Sequence, residues 1–186
     1  EIGVRLVGSE MCIRDRPFTV NYAMGWTGDI FGENDVLGAD PTTFGLTNGK
    51  RGNNASYTPW SSFAIVEGKD LEFIVNLDKP TEVSKVIFGS LFNPAMRMLP
   101  AGGIAVEVSA DGQQYTQIAE KTLKHDCPET GRIAFTDSIE FEPAQATFLK
   151  VKIKNGGTLR NGVNFEKNNG PEVIPAELWI DEIEAY

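Results

Sequence analysis

Few residues of this chain have the types and spacing needed for nucleophilic or zinc-dependent catalysis. His125 is the only histidine, and Cys127 lies two residues from it, too close along the backbone for the usual pairing of a thiolate with its base. A surface turn in the segment HDCPETG explains both residues better. The sequence has no elbow-type serine motif and no CxxC or HExxH pattern, which excludes the common serine-hydrolase and zinc sites.

Acidic residues are numerous, but their positions do not predict a glycosidase. Glycoside hydrolysis needs two carboxylates that face each other across the sugar. The acidic residues of the predicted strands alternate with core residues, so we interpret them as solvated faces. They are Glu140 and Glu142, and the group Asp181, Glu182 and Glu184. The sequence therefore favours a non-catalytic domain, and two carboxylates converging in one pocket would favour an enzyme instead.

Length and composition indicate one soluble domain. The chain has 186 residues, of which 41% are hydrophobic and 23% charged, which is enough for a single core. No apolar run approaches the ~18 residues that a membrane helix needs, so we predict no membrane insertion. The net charge of −9 and the lack of a Lys/Arg stripe argue against a nucleic-acid partner.

The N-terminal segment differs from the rest of the chain. Residues 1–16, EIGVRLVGSEMCIRDR, resemble the translated sequencing-adapter artefact found at the ends of reading frames from metagenomic assemblies. An ordinary strand at Ile2–Val7 is the alternative. We interpret residues 1–16 as a non-native tail outside the fold, and residues 17–45 as an N-terminal extension or lead-in strand. The chain is then the C-terminal piece of a larger protein.

From Pro17 onwards the hydrophobic period is two, which predicts strands. Leu71, Phe73, Val75 and Leu77 share one face, and an Asp78-Lys79-Pro80 turn follows them. The predicted strands are Asp70–Leu77, Val83–Phe88, Ile104–Ser109, Gln114–Ala119, Ile133–Phe135, Ser138–Phe141, Phe148–Ile153 and Leu178–Tyr186. Asp111-Gly112 predicts a tight hairpin after Ile104, Val106 and Val108. We predict an all-β, antiparallel β-sandwich of about eight strands, with a jelly roll as first choice.

Three long polar stretches separate the predicted strands. They are Asp29–Ser62, Ser90–Gly103 and Asn155–Pro175. Loops of this length in a compact domain are usually functional or disordered. Because the loops of a sandwich collect at its two ends, these three can form one binding face.

Three segments together resemble the discoidin-like (coagulation factor 5/8 type C) family. The segment Leu46–Pro80 is similar to the family's opening, in which an L-x-D-G element precedes a Trp and a strand. The segment Lys85–Glu120 is similar to its strand, long loop, "LP" and S-x-D-G hairpin. KVKIKNGG and the final AELWIDEIEAY resemble its closing strands. The resemblance covers residues 46–186, which we interpret as one discoidin-like domain with a galactose-binding-like fold.

The closest similarity is to C-terminal modules of bacterial β-N-acetylhexosaminidases. It implies a non-catalytic carbohydrate-binding module, the accessory domain of an exported glycoside hydrolase that is periplasmic, cell-surface or secreted. The implied partners are a glycan, of N-acetylhexosamine or galactose type, and the catalytic domain of the parent chain. Two alternatives are a structural domain that packs on its catalytic partner without binding sugar, and a surface adhesion or protein-binding domain.

The resemblance also implies where sugar would bind. Such modules stack an aromatic ring on a pyranose and bind its hydroxyl groups with polar side chains. The sugar-binding candidates in the three loops are Tyr57, Phe92, Asn93, Arg97, Arg160, Asn161 and Phe165. Trp60, Trp179, Met96, Met98 and Leu99 are expected to pack instead. The loop before the last strand has no histidine, although that subfamily often carries one there.

A structural calcium ion is the implied cofactor. Discoidin-like modules often hold Ca²⁺ between the L-x-D-G loop and the acidic end of the last strand, and Ca²⁺ prefers six to eight hard oxygen ligands. The corresponding ligands would be the carbonyls of Leu46, Arg51 and Asn54 and the side chains of Asn48 and Glu182. Asn48 stands where the family usually has Asp, which removes one formal charge from the site.

Overall fold

The computed structural model describes Ile13 and residues 18–22, 46–47, 49, 51–55, 61–64, 70–160 and 173–186. Its strands are β1 (Phe18–Tyr22), β2 (Ser61–Ala64), β3 (Leu71–Phe92), β4 (Gly103–Ser109), β5 (Thr116–Thr122), β6 (Ile133–Lys154), β7 (Thr158–Arg160), β8 (Val173–Pro175) and β9 (Glu177–Ala185). One 3-10 turn spans Pro94–Met96. The predicted all-β, antiparallel class is confirmed. Among these residues, no helix has the length and apolarity to span a membrane.

Strands β3 and β6 are the two longest, with 22 residues each, and they pair along most of their length. The predicted strands 70–77 and 83–88 are one strand, and Asp78-Lys79-Pro80 does not end it. Instead the register shifts between Asn76 and Thr81, where Asp78 has a φ of 65°. Such an irregularity bends the strand while the ladder continues on both sides. The prediction of three short strands between residues 133 and 153 is wrong for the same reason.

Each long strand contributes one half to each layer of a sandwich. The first half of β3 pairs with β1 and with the second half of β6, which continues the layer to β4 and β5. The second half of β3 pairs with the first half of β6 and with β9, and β2 completes that edge. Strands β7 and β8 form a separate two-stranded sheet.

The core lies between the two layers. Leu71, Phe73, Val75 and Leu77 are all buried, as their alternation predicts, and they join Ile104 of β4 in one hydrophobic cluster. Burial of each such side chain contributes about 1.5–3 kcal/mol. The cluster takes residues from both halves of β3, so it holds the layers together.

Two residues outside the strands add to the initial interpretation. Ile13 is fully buried in the main core, so this residue of the segment 1–16 packs against the domain. The His125 side chain is 9% exposed, and its Nε2 lies 3.0 Å from an Asp137 oxygen. Its ring also contacts Phe135 with 4.5 Å between centroids, so His125 does not lie in an open surface turn.

A second, small cluster packs beneath the end of β3. Trp179 is 2% exposed and contacts Leu91 and Met98, which confirms its expected anchoring of the last strand. Met96 is 41% exposed, so the expectation that it packs is wrong. The 3-10 turn directs the chain outward at Met96 and returns it at Met98, because Asn93 and Met98 bond through their backbones on both sides of the turn.

The hairpin between β4 and β5 is closed by polar side chains. The Asp111 carboxylate accepts the backbone N–H groups of Gln113 and Gln114, and these bonds hold the pKa of Asp111 below its usual value. The Ser109 hydroxyl oxygen accepts the N–H of Gly112. Gly112 has a φ of 73°, a conformation that glycine adopts without steric cost. The S-x-D-G sequence therefore encodes this turn.

Substitution of Gly112 by Ala is expected to lower the free energy of unfolding by about 1–2 kcal/mol, because the left-handed region costs an L-residue roughly that much. The added Cβ would also lie 3.1 Å from the Phe148 ring. Urea unfolding followed by circular dichroism measures the change. Gln113→Ala is the control: it keeps the N–H bonded to Asp111 and should shift stability by less than ~0.5 kcal/mol. Equal stability of Gly112→Ala and wild type would contradict the prediction.

Candidate functional site

The loop after β3 is fastened to the last strand. The N–H of Glu177 donates to the carbonyl of Arg97 at 2.7 Å, and the N–H of Leu99 donates to the carbonyl of Glu177 at 3.3 Å. Met98 forms a parallel bridge with the same glutamate. These bonds place the tip of the loop, Met96 and Arg97, beside the start of β9.

Arg97 is held in one orientation but remains at the surface. Its Nη2 donates to Oε1 of Glu177 at 3.0 Å, and Nε1 of Trp179 donates to Oε2 of the same carboxylate at 2.9 Å. The Arg97 side chain is still 48% exposed. Its φ of 61° is rare for a residue with a side chain and costs on the order of 1 kcal/mol. Arg97 adopts this left-handed conformation as the residue that ends the 3-10 turn Pro94–Met96.

The third loop joins the same place. Nδ2 of Asn155 donates to the carbonyl of Ala176, and the N–H of Ala176 donates to the carbonyl of Gly157, both at 3.0 Å. Strand β7 leaves this point and pairs with β8, where Arg160 stands opposite Val173. Because Ala176 directly precedes Glu177, the second and third loops meet at the start of β9.

The first loop reaches the end of β3. Oδ1 of Asn54 accepts the N–H of Ala134 at 2.6 Å, and Ala134 pairs with Leu91 in the β3–β6 ladder. The described parts of all three loops therefore contact strand ends on one side of the sandwich. This arrangement can form a shared binding face.

The sugar-binding candidates differ in exposure and position. Arg97 is exposed, Asn93 is half-buried at the base of the turn, and Arg160 lies in β7. Phe92 is 2% exposed, so the prediction that its ring stacks on a sugar is wrong. The remaining candidates lie outside the described residues; they are Tyr57, Asn161 and Phe165.

The acidic residues of β9 form a second, buried group. Asp181 is 3% exposed and Glu182 is fully buried, so their interpretation as a solvated face is wrong. The Glu184 side chain is 16% exposed. Glu140 and Glu142 are exposed, as expected. The difference arises because the described residues of the first loop, namely Leu46, Gly49, Arg51 and Gly52, contact β9, whereas no described segment covers the two glutamates of β6.

Backbone groups of that loop contact the buried carboxylates. The N–H of Gly49 donates to Oε1 of Glu182, and the N–H of Gly52 donates to Oδ2 of Asp181, both at 2.8 Å. The carbonyl of Leu46 accepts the N–H of Ile183 at 2.7 Å. The loop therefore follows β9 closely, with its amides directed at negative charge.

Side chains complete the contact between the loop and β9. Nε and Nη2 of Arg51 donate to Oε1 of Glu184 at 3.0 and 2.7 Å, and its Nη1 lies 3.5 Å from Oδ1 of Asp181. The Tyr186 hydroxyl donates to Oε2 of Glu184 at 2.7 Å. From the other side, β3 approaches so closely that a Cβ at Gly89 would overlap the Asp181 carboxyl group.

Burial disfavours the ionised form of both covered acids. It raises the pKa of Asp181, although the N–H of Gly52 and the charge of Arg51 act in the opposite direction. Burial also raises the pKa of Glu182 to about 8, and the negative charges of Glu184 and Asp181 add to the increase. A cation near Glu182 would reverse this effect, because it favours the carboxylate.

The residues present fit a calcium ion. Oε2 of Glu182 is buried and has no hydrogen-bond partner, which leaves one carboxylate oxygen available as a ligand. Within the described part of the chain, no three His, Cys, Asp or Glu side chains are arranged to hold a metal. A cation here would therefore depend mainly on carbonyl oxygens, which suits Ca²⁺. Leu46 lies beside Ile183, whereas the Asn54 side chain bonds to Ala134 and Asn48 is outside the described residues.

Three contributors to these sites were not predicted from the sequence. Glu177 orients Arg97, Asp181 lies beneath the loop, and Arg51 acts through its side chain. One signal was available: LWIDEI in β9 lacks the alternation of a half-exposed strand, and its acids therefore had to be buried or covered.

Comparison with known proteins gives matches at the level of structure. No family model and no curated protein matches the chain. A chitosan-binding module of a chitosanase/glucanase from Paenibacillus sp. IK-5 is 16% identical, with a TM-score of 0.52, covering 96% of this chain and 99% of that one. A fucose-binding module of Streptococcus pneumoniae is 15% identical, with a TM-score of 0.51, covering 97% and 96%.

A third structure is similar to the same extent. The module CpGH89CBM32-5 of Clostridium perfringens, in complex with GalNAc-β-1,3-galactose, is 14% identical, with a TM-score of 0.50, covering 91% of this chain and 95% of that one. All three comparisons span nearly the whole domain. At identities this low they show similarity of the fold alone. The chain therefore has the discoidin-like, galactose-binding-like β-sandwich fold of carbohydrate-binding modules.

Proposed function

We propose that this chain is a non-catalytic carbohydrate-binding module, the accessory domain of an exported glycoside hydrolase. The observation that carries the proposal is Arg97, a strained and half-exposed residue whose guanidinium is fixed by Glu177 at the meeting point of two loops. A guanidinium held in this way can donate to sugar hydroxyl groups without first being ordered, so less conformational entropy is lost on binding. The module tethers its enzyme to glycan and raises the local substrate concentration.

The ligand in this proposal is a neutral sugar of N-acetylhexosamine or galactose type. Two observations support it: the Arg97 charge is already balanced by Glu177, and two structures that share the fold are described as binding GalNAc-β-1,3-galactose or fucose, which are neutral sugars. Asn93 lies at the base of the same loop, and Arg160 lies on β7 beyond the third loop. The setting is extracellular, periplasmic or at the cell surface, with the parent catalytic domain as partner.

A structural Ca²⁺ belongs to the same proposal. Its ligands are Glu182 and the loop positions Leu46, Asn48, Arg51 and Asn54. The free Oε2 of Glu182 supports it most directly, because a buried oxygen without a partner is costly unless a ligand satisfies it. Bound calcium would supply positive charge that stabilises the ionised form of Glu182. The protein's own residues hold the loop against β9 through the amides of Gly49 and Gly52.

Arg97→Ala is expected to weaken glycan binding about tenfold or more, because a hydrogen bond from a charged group contributes roughly 1.5–3 kcal/mol. An array of neutral glycans first identifies the best class, and isothermal titration calorimetry with GalNAc-β-1,3-galactose and fucose then measures the affinity. Lys85→Ala is the matched control, because Lys85 forms its ion pair with exposed Glu140 away from the loops. If the wild type bound no glycan of the array, the proposal would fail.

Without divalent cations, the free energy of unfolding is expected to fall as pH rises. The pKa of Glu182 is raised to about 8 in the folded protein, from an ordinary value of 4.5. The stabilisation that this gives is complete below the ordinary value and is lost as pH rises through the folded value, by a few kcal/mol in order of magnitude. Glu182→Gln should remove most of this fall in the free energy of unfolding. A smaller fall with rising pH should remain, because burial also raises the pKa of Asp181.

Urea unfolding at about pH 5 and about pH 8, with a chelator present, measures this dependence. Glu142→Gln, which alters an exposed carboxylate, should keep the wild-type profile. Added Ca²⁺ should then stabilise the wild type but not Glu182→Gln. Only a native state that carries the Glu182 carboxylate binds the ion, and binding to the native state stabilises it. Identical pH profiles for Glu182→Gln and wild type would show that Glu182 is not the titrating group.

A further inference from the structure

The acidic end of β9 offers fewer free oxygens than its sequence suggests. Asp181, Glu182 and Glu184 carry six carboxylate oxygens, and five of them contact a donor. The sixth, Oε2 of Glu182, is buried and has none. A ligand that enters this group therefore meets one available carboxylate oxygen.

Arg51 makes several of these contacts with the carboxylate oxygens. Two of its nitrogens donate to the same oxygen of Glu184, at 2.7 and 3.0 Å, and a third lies 3.5 Å from Asp181. Its side chain is 31% exposed, so it covers the group from the solvent side. Glu182 receives a backbone N–H from Gly49 and, from the described residues, no side-chain hydrogen bond. Arg51 thus engages two of the three acids and leaves the third.

The formal charges of the three acids and Arg51 lead to the same conclusion. Three carboxylates and one guanidinium sum to −2, which a single divalent cation balances. Without the guanidinium the sum is −3, and Glu184 would regain an oxygen directed toward the loop. Two consequences follow for a divalent cation: a stronger electrostatic attraction and one more possible ligand.

We propose that Arg51 sets the cation affinity of this site. It withholds Glu184 from the ion, while backbone N–H groups occupy both oxygens of Asp181, so that Glu182 is the single carboxylate ligand. The inference rests on the calcium site of the proposed function. It assigns to Arg51 a role through its side chain, in addition to the carbonyl that the family resemblance implies. If Arg51 only stabilised the fold through these contacts, its replacement would weaken Ca²⁺ binding. The proposal predicts that the replacement strengthens it.

Calcium titration of three variants tests the direction of the effect. Arg51→Gln is expected to bind Ca²⁺ about tenfold more tightly than wild type, because a unit positive charge within several ångströms of the ion has been removed. Arg51→Lys keeps the charge and should stay within about twofold of wild type. The double variant Arg51→Gln/Glu184→Gln restores the formal charge and removes the released carboxylate, so its affinity should return to that of wild type.

Isothermal titration calorimetry with calcium chloride as the only ligand gives the affinities, and circular dichroism shows that each variant is folded. Lys154→Gln is the control: it removes the same charge from an exposed ion pair with Glu120 and should leave calcium affinity unchanged. If Lys154→Gln also tightened binding, net charge rather than Arg51 would explain the effect. If Arg51→Gln failed to fold, two single variants of the acids would still test the proposal. Glu182→Gln should abolish calcium binding, whereas Glu184→Gln should retain it, because Arg51 already occupies that carboxylate. Loss of binding in Glu184→Gln would overturn the proposal.

The outcomes distinguish the role of Arg51 from the existence of the calcium site. Wild type that binds Ca²⁺, with Arg51→Gln binding equally or more weakly, would overturn the role of Arg51 and leave the calcium site intact. Absence of binding in wild type together with binding in Arg51→Gln would support the role and contradict calcium in the native module. No binding by any variant would overturn both, while glycan binding, measured separately, would remain as its own test.

Discussion

The pairing of β3 with β6 is the constraint on which the rest of the domain depends. Each strand passes from one layer of the sandwich to the other, so the register of this single ladder fixes how the two layers lie on each other. The hydrophobic cluster between the layers takes residues from both halves of β3. The ends of these strands also place the loops, because Asn93 follows β3 and Ile133 begins β6 at the same edge.

The closing strand shows how a domain keeps acids in its interior. Removing a carboxylate from water costs several kcal/mol unless partners replace the lost hydration. Here the replacement comes from one short loop, whose amides and one guanidinium face Asp181, Glu182 and Glu184. Gly89 is required on the opposite side, because a side chain there would overlap Asp181. The loop and the strand therefore depend on each other for stability.

The alternation of apolar residues predicted the strands and the core because it reports directly on which face is buried. It did not predict the bend in β3, since Asp78-Lys79-Pro80 is compatible with a turn and with a bulge. Arg97 was predicted, and its anchor Glu177 was not, because the two are brought together only by the fold. Phe92 has polar neighbours in the sequence, yet it is 2% exposed at the end of β3, and its burial depends on tertiary packing that the sequence does not report.

Strand β9 carries Glu177 near its start and Glu182 further along, so the loop that holds Arg97 and the loop that covers the acids are fastened to the same rigid element. Thermodynamic linkage gives this arrangement a definite consequence. Whatever factor an ion at Glu182 contributes to the affinity for a ligand at Arg97, that ligand contributes the same factor to the affinity for the ion. The strand is thus the element through which the two sites would exchange coupling free energy.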